Sequence, residues 1–236
     1  MTFPFDDERL LQPEEREGGL AHVAPGAGSE APLVVWLHGV NEKGPLHRGL
    51  GSPGFDLRAI VDELADASSI APPIVAGPSQ TRDAWTGSRL WSTFDLDAFV
   101  EEVEVATGTK VDRGRVVLVG HSGAGCNPSG GLLSPMHEVK PLAILALDTC
   151  MDERFGKLLA TAADVAPVHV VYQNAIWPRE FDAFERVFKA TLAEQPGRQG
   201  TFARVDAPGA NPHDEVVPVA LRRMLPKLLP PPADEE

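Results

Sequence analysis

Two cysteines in 236 residues are too few for a disulfide framework, and Cys126 and Cys150 lack the paired spacing of a zinc site. They are expected as free thiols packed in or near the core, where unpaired cysteine is most often found. Cys126 follows Ser122 by one helical turn and Cys150 lies just beyond an apolar run, so the two can become neighbours. Cationic residues are also scarce: 21 Lys and Arg stand against 34 Asp and Glu, a formal net charge of -13. A phosphate-binding surface needs clustered Lys and Arg, and no such cluster is present, so nucleic acid is not an expected partner. The acidity favours solubility and biases the chain against anionic substrates. No apolar run approaches the ~20 residues that cross a bilayer. The stretch Met1–Glu8 has neither a basic region nor an apolar core, so no signal peptide is read; no membrane partner is expected and cytoplasmic location is the default. Internal repeats are absent too, as is any block large enough for a separate lid domain.

What the sequence does contain is an alternation of apolar runs and helical spacing. Leu33–Leu37, Pro73–Pro78, Val116–Val119, Pro141–Asp148 and Val168–Gln173 read as buried strands, with Thr201–Val205 a weaker one. Helical periodicity appears at Asp56–Leu64, in Phe94, Leu96, Phe99, Val100 and Val103, at Glu180–Leu192 and at Val216–Leu225. This order predicts an α/β fold, a mostly parallel central sheet with helices on both faces. Residues 1–30 read as an irregular lead-in with a short strand at Leu20–Val23. Residues 31–228 make one domain and 229–236 a disordered tail. The connection from Ser79 to Thr93 carries Trp85 and Trp91. Its place after a strand puts it at the strands' carboxyl ends, where open parallel sheets bind ligands. The tryptophans either line a pocket there or cover the core under a long loop.

Three motifs carry chemistry. The run Val116–Val119 stops at Gly120-His121-Ser122-Gly123-Ala124, a strand that delivers a serine on a tight turn, with small residues where larger ones would collide. Upstream, Leu33–Leu37 ends in His38-Gly39-Val40-Asn41, where a glycine just past the strand lets the backbone approach a reacting carbonyl and a free N–H can stabilise an oxyanion. Downstream, Asn211-Pro212-His213-Asp214 places a histidine in a polar, Pro-bounded loop before the last amphipathic segment. There a general base can reach the serine.

In this order the motifs resemble those of the α/β-hydrolase superfamily, over nearly the whole chain from about residue 33 to about residue 224. The resemblance implies a single-domain α/β-hydrolase fold with a small lid or none. It also implies a Ser-acid-His triad, an oxyanion hole split between two loops, and no cofactor. Ser122 is then the nucleophile and His213 the general base. Asp148, at the end of its apolar strand, is chosen as the acid, although the commoner pattern places the acid after the following strand, where this chain has Gln173-Asn174; Asp206, Asp152 and Asn174 are the alternatives. The N–H groups of Gly123 and Val40 form the oxyanion hole. His38, Asn41, Trp85 and Trp91 are the candidate pocket residues, with His38 more plausibly a brace for its loop. His121 is read as support and Asp214 as the cap of the last helix. Cys126-Asn127-Pro128-Ser129-Gly130-Gly131 is poor helix material, so the helix after Ser122 must be short, kinked or displaced. The expected activity is cleavage of a small-molecule acyl substrate, most simply a carboxylic ester, through an acyl-enzyme. A peptidase or amidase, an acyltransferase, a non-catalytic binding protein of the same fold, and a thiol enzyme using Cys126 are the competing readings.

Overall fold

Apolar runs without polar interruption make strands that must be covered on both faces, and the chain supplies helices for each. The computed structural model describes residues 1–5, 18–41, 47–52, 54–79, 90–92 and 94–231. The strands are β1 (Thr2–Phe3), β2 (Gly19–Val23), β3 (Glu30–Leu37), β4 (Ile74–Pro78), β5 (Lys110–His121), β6 (Ala143–Leu147), β7 (Val168–Gln173) and β8 (Gly200–Val205). The helices are α1 (Leu57–Asp66), α2 (Leu96–Thr107), α3 (Glu153–Ala162), α4 (Pro178–Ala193) and α5 (Pro212–Leu228).

The strands form one open sheet in the order β1-β2-β4-β3-β5-β6-β7-β8. From β4 to β8 all neighbours run parallel, while β2 pairs antiparallel with both β1 and β4. Side-chain alternation divides the interior into two layers. Val35, Leu37 and Leu118 face a core completed by Phe99 of α2, Leu159 of α3 and Phe184 of α4. Val34, Trp36, Val117 and Val119 face the other, completed by Ile60 of α1 and Leu221 of α5. Helix starts are set locally by aspartate: Asp56, Asp95 and Asp152 accept backbone N–H bonds at the beginnings of α1, α2 and α3.

Three features differ from what the sequence suggested. The strand expected at Leu20–Val23 is β2, but residues 1–30 hold more than that, because β1 pairs with it and both extend the sheet. The approach is close there: a Cβ on Gly19 would lie 2.3 Å from the Phe3 ring. At the other end Leu229 is buried and its carbonyl accepts the Ala71 N–H at 3.0 Å, so ordered packing runs past residue 228. Cys126 and Cys150 are not free thiols. They are joined in a disulfide with their Cα atoms 5.0 Å apart. The reason is topological. Parallel pairing sets His121 opposite Leu147, so the segments leaving β5 and β6 run side by side and carry the cysteines together.

Among the described residues no helix is long and apolar enough to cross a membrane. Leu118 is fully buried in the central strand and Val105 is 79% exposed on α2. Leu118→Ala is therefore expected to lower unfolding stability by about 2–5 kcal/mol in urea titrations, and Val105→Ala to change it by less than about 0.5 kcal/mol.

Candidate active site

The carboxyl ends of β3, β5 and β6 set the site. Leu37 is paired with Gly120 and His121 with Leu147, so the residues that follow each strand emerge at one edge of the sheet. Ser122 follows β5 with φ +54° and Asp148 follows β6 with φ +47°, both in the left-handed region that non-glycine residues seldom adopt. Backbone strain of this kind persists only where the surroundings fix it. At Ser122 the chain reverses into a single 3-10 turn, Ser122–Gly125. Gly120 is required beneath that turn, since a Cβ there would lie 2.6 Å from the Leu132 side chain. The turn does not continue as a helix, in keeping with the Pro- and Gly-rich sequence that follows.

The loop after β3 lies directly on this turn. A Cβ on Gly39 would stand 2.6 Å from Ser122 Cβ and 3.0 Å from Ser122 Oγ, so only glycine lets the two chains touch. A Cβ on Gly123 would come within 3.3 Å of the Val40 backbone nitrogen. The Gly123 and Val40 amides are thus neighbours beside the serine.

His213 begins α5 rather than preceding it. Pro212 occupies the first turn, where its fixed φ and missing N–H suit a helix start, and Asn211 stands at the cap position. His213 Nδ1 lies 2.5 Å from Asp148 Oδ2, and the Asp148 side chain is fully buried. The opposite carboxylate oxygen, Oδ1, has no hydrogen-bond partner. Gln173 holds the same carboxylate more loosely, with Nε2 3.5 Å from Oδ2. It also organises the turn beyond β7 by accepting the Ala175 and Ile176 N–H groups. The alternative acids are engaged elsewhere: Asp152 caps α3, and Asn174 and Asp206 hydrogen-bond each other at the surface.

Several supporting residues act through polar contacts that local sequence does not disclose. His121 Nε2 donates to the His213 carbonyl at 2.7 Å, and its ring packs against that of His213 with centroids 4.6 Å apart. Burial lowers the His121 pKa well below the ordinary value, and the neighbouring His213 ring adds to the effect. Arg48 went unnoticed in the sequence. Its guanidinium donates to the Val40 carbonyl at 2.8 Å and to Asp214 Oδ1 at 2.7 Å, tying the loop after β3 to the first turn of α5. Asp214 is therefore an ion-pair partner, not the helix cap. Trp177 was also missed: it is 44% exposed, has φ +58°, and meets the His213 ring edge-on at 5.9 Å. An exposed aromatic before a proline carries no sequence signal that separates it from an ordinary loop residue.

Of the candidate pocket residues, Trp85 lies outside the described residues. Trp91 is fully buried and donates its indole N–H to the His38 carbonyl at 2.9 Å, so it braces the loop from below and does not line a pocket. His38 is likewise buried, with Nδ1 donating to the Gly39 carbonyl at 2.7 Å. Asn41 is partly exposed next to Val40. Among the described residues no cluster of three or more His, Cys, Asp or Glu side chains is placed to hold a metal ion. A separate apolar cavity of about 280 Å³ lies between the segment after Gly131 and α3, lined by Leu132, Met136 and Leu158 among others, and it includes neither Ser122 nor His213.

Burial lowers the pKa of His38 from 6.5 to about 4, opposed by its bond to the Gly39 carbonyl and assisted by the nearby Arg48 guanidinium and, to a smaller extent, the His47 ring. Its folded-state pKa lies below the unfolded value, so the unfolded chain binds the extra proton between the two. Stability is fully present above pH 6.5 and is lost as pH falls toward 4, by roughly 3 kcal/mol from this group. His38→Asn keeps a donor for the Gly39 carbonyl without the titration, so urea midpoints measured at pH 7 and pH 4.5 should differ less in the variant than in the wild type.

No protein-family model matches the chain, and no curated protein matches it. Solved structures do. A ferulic acid esterase shares 17% identity over 85% of this chain and 85% of its own, with a TM-score of 0.57. A thermostable esterase shares 18% over 96% of this chain and 61% of its own, at TM-score 0.61. An acylaminoacyl peptidase of Pyrococcus horikoshii shares 15% over 92% of this chain but only 40% of its own, at TM-score 0.54. At these identities the likeness is one of architecture, and together with the eight-stranded, mostly parallel sheet it shows that the chain has the α/β-hydrolase fold.

Proposed function

We propose that the protein is a serine hydrolase that cleaves a carboxylic ester of modest size through an acyl-enzyme. One observation carries the reading: His213 and Asp148, 65 residues apart in sequence, meet at 2.5 Å, with the His213 ring packed on that of His121, the residue before the strained serine turn. With Nδ1 of His213 donating to Asp148, Nε2 is left as the base. It takes the Ser122 proton as Oγ attacks the ester carbonyl, and the carbonyl oxygen becomes an oxyanion facing the Gly123 and Val40 N–H groups. The imidazolium, stabilised by the buried carboxylate, then protonates the departing alkoxide. Water, activated by the same ring, hydrolyses the acyl-enzyme by the reverse sequence. The leaving group departs on the side of His213, where Trp177 offers an exposed ring. An ester is favoured over a peptide bond because the ferulic acid esterase is of about this chain's own length, with 85% of each covered, whereas the peptidase is more than twice as long, with only 40% of it covered. No step draws on a cofactor, and cytoplasmic location remains our reading of the sequence.

A fluorophosphonate probe should label wild-type protein at Ser122, located by mass spectrometry, and should leave folded Ser122→Ala unlabelled. Asp148→Asn should retain the fold and lose about 10³–10⁴-fold in kcat on p-nitrophenyl acetate, because the imidazole loses both its orientation and its counter-charge. Gly39→Ala should lower kcat by about 10²-fold or more, as the added methyl meets the nucleophile. A folded wild-type protein that neither labels nor turns over any member of an ester and amide panel would move the non-catalytic binding reading to the front.

A further inference from the structure

In this protein the serine turn lacks the support of a following helix. After the 3-10 turn Ser122–Gly125 the chain runs into Cys126-Asn127-Pro128-Ser129-Gly130-Gly131 and forms no further helical residue until the short turn Gly131–Leu133. No side chain caps that first turn. On the neighbouring strand end, by contrast, the acid segment is firmly held. The Asp148 N–H donates to the Val171 carbonyl at 2.9 Å, and the hydroxyl of buried Tyr172 donates to the Cys150 carbonyl at 3.2 Å. Asp152 then starts α3 by accepting the Phe155 N–H. Cys126 ends the serine turn and Cys150 lies two residues after Asp148, so their disulfide is the covalent tie between the turn and the acid segment. The surfaces it joins are already in contact: a Cβ on Gly125 would lie 2.6 Å from the Thr149 side chain. Both cysteines are partly exposed.

We infer that the Cys126–Cys150 disulfide is a redox-controlled positioning element for the active site. Resting on the serine-hydrolase reading above, it holds Ser122 in register with Asp148 and His213 when oxidised and releases the serine turn when reduced. Reduction by a dithiol is balanced: a thiolate attacks one cystine sulfur and breaks the Cys126–Cys150 bond, and the reductant's second thiol then displaces the mixed disulfide. Two electrons pass to the cystine, two protein thiols are formed, and the reductant leaves as its own disulfide. Two thiols cannot remain at bonding distance, so the sulfurs part and the covalent tie between the two segments is lost. The acid side keeps its bonds to β7 and α3; the serine side, anchored beyond Cys126 through Asn127 Nδ2 on the Leu90 carbonyl but a single uncapped turn with no helix behind it, gives way. Misplacing a nucleophile by about 1 Å is enough to lower its reactivity by an order of magnitude or more. In a thiol-rich compartment such a bond is transient and regulatory, and in an oxidising one it is permanent. The activity therefore follows the redox state of the surroundings, with the oxidised form active.

The test compares protein purified without reductant, the same protein after dithiothreitol, and the Cys126→Ser/Cys150→Ser double variant. Each is followed by the second-order rate of fluorophosphonate labelling at Ser122, by far-UV circular dichroism and by thermal melting. Reduction is expected to slow labelling at least tenfold with helical signal and a cooperative melt retained, and reoxidation to restore it. The double variant should be slow with or without dithiothreitol, and on p-nitrophenyl acetate the loss should fall on kcat, with KM changed less than threefold. Equal labelling rates in the oxidised and reduced forms would overturn the inference. So would a loss of labelling that tracks a loss of helix signal, which makes the bond a general staple, or alkylation of both cysteines by iodoacetamide in the folded, untreated protein. Folded, oxidised wild type that takes no label at Ser122 sinks the serine-hydrolase reading itself, an outcome distinct from normal but redox-insensitive labelling.

Discussion

The register between β3, β5 and β6 is the constraint on which the site depends. Leu37 against Gly120 and His121 against Leu147 bring three loops to one sheet edge at matching height. Parallel pairing allows no gradual adjustment, because a slip of one residue turns every side chain to the opposite face and would move buried valines and leucines into the wrong layer. The two hydrophobic layers thus set the register, and the register sets where Ser122, Asp148 and the Gly39–Val40 backbone emerge. In this sense the core residues Val34, Val35, Val117 and Leu118 position the polar groups without touching them.

Above that edge the parts are joined by a small number of directed polar bonds. His121 donates to the carbonyl of His213, Arg48 links the Val40 carbonyl to Asp214, and Trp91 holds the carbonyl of His38. Each side chain here acts on a backbone carbonyl or a neighbour of a site residue, which leaves the reactive groups themselves uncommitted. Keeping His38 and His121 neutral by burial serves the same end, since a second positive charge would stand against the imidazolium that His213 would form in the proposed mechanism.

Much of this was legible in the sequence, for identifiable reasons. Buried parallel strands need uninterrupted apolar residues, so β3 through β7 stand out as runs, and their alternation with amphipathic stretches determines the architecture. Gly120 could be singled out because steric demands next to a serine turn act within a few residues, and Gly39 because it stands just past an apolar strand. Asp148 was reachable because it ends a strand. What escaped was non-local. Arg48 sits in a Gly- and Pro-rich loop, and its partner Asp214 is 166 residues away. The Cys126–Cys150 bond followed from strand adjacency, while counting cysteines pointed to free thiols. Trp91 was ambiguous between pocket and core, and only its burial decides for the core. The edge strand β1 is two residues long, too short for any periodicity to show.

The left-handed backbone at Ser122 and Asp148 bears on how this protein would respond to selection for heat resistance. At such positions glycine, and to a lesser degree asparagine, fits the backbone with less strain than serine or aspartate. Random libraries screened only for thermal tolerance should accordingly enrich glycine at residue 122 and glycine or asparagine at residue 148, each gaining stability while discarding the hydroxyl or the carboxylate on which the proposed activity rests. Robustness and reactivity are in conflict at these two residues, and any programme to harden the scaffold has to hold both fixed.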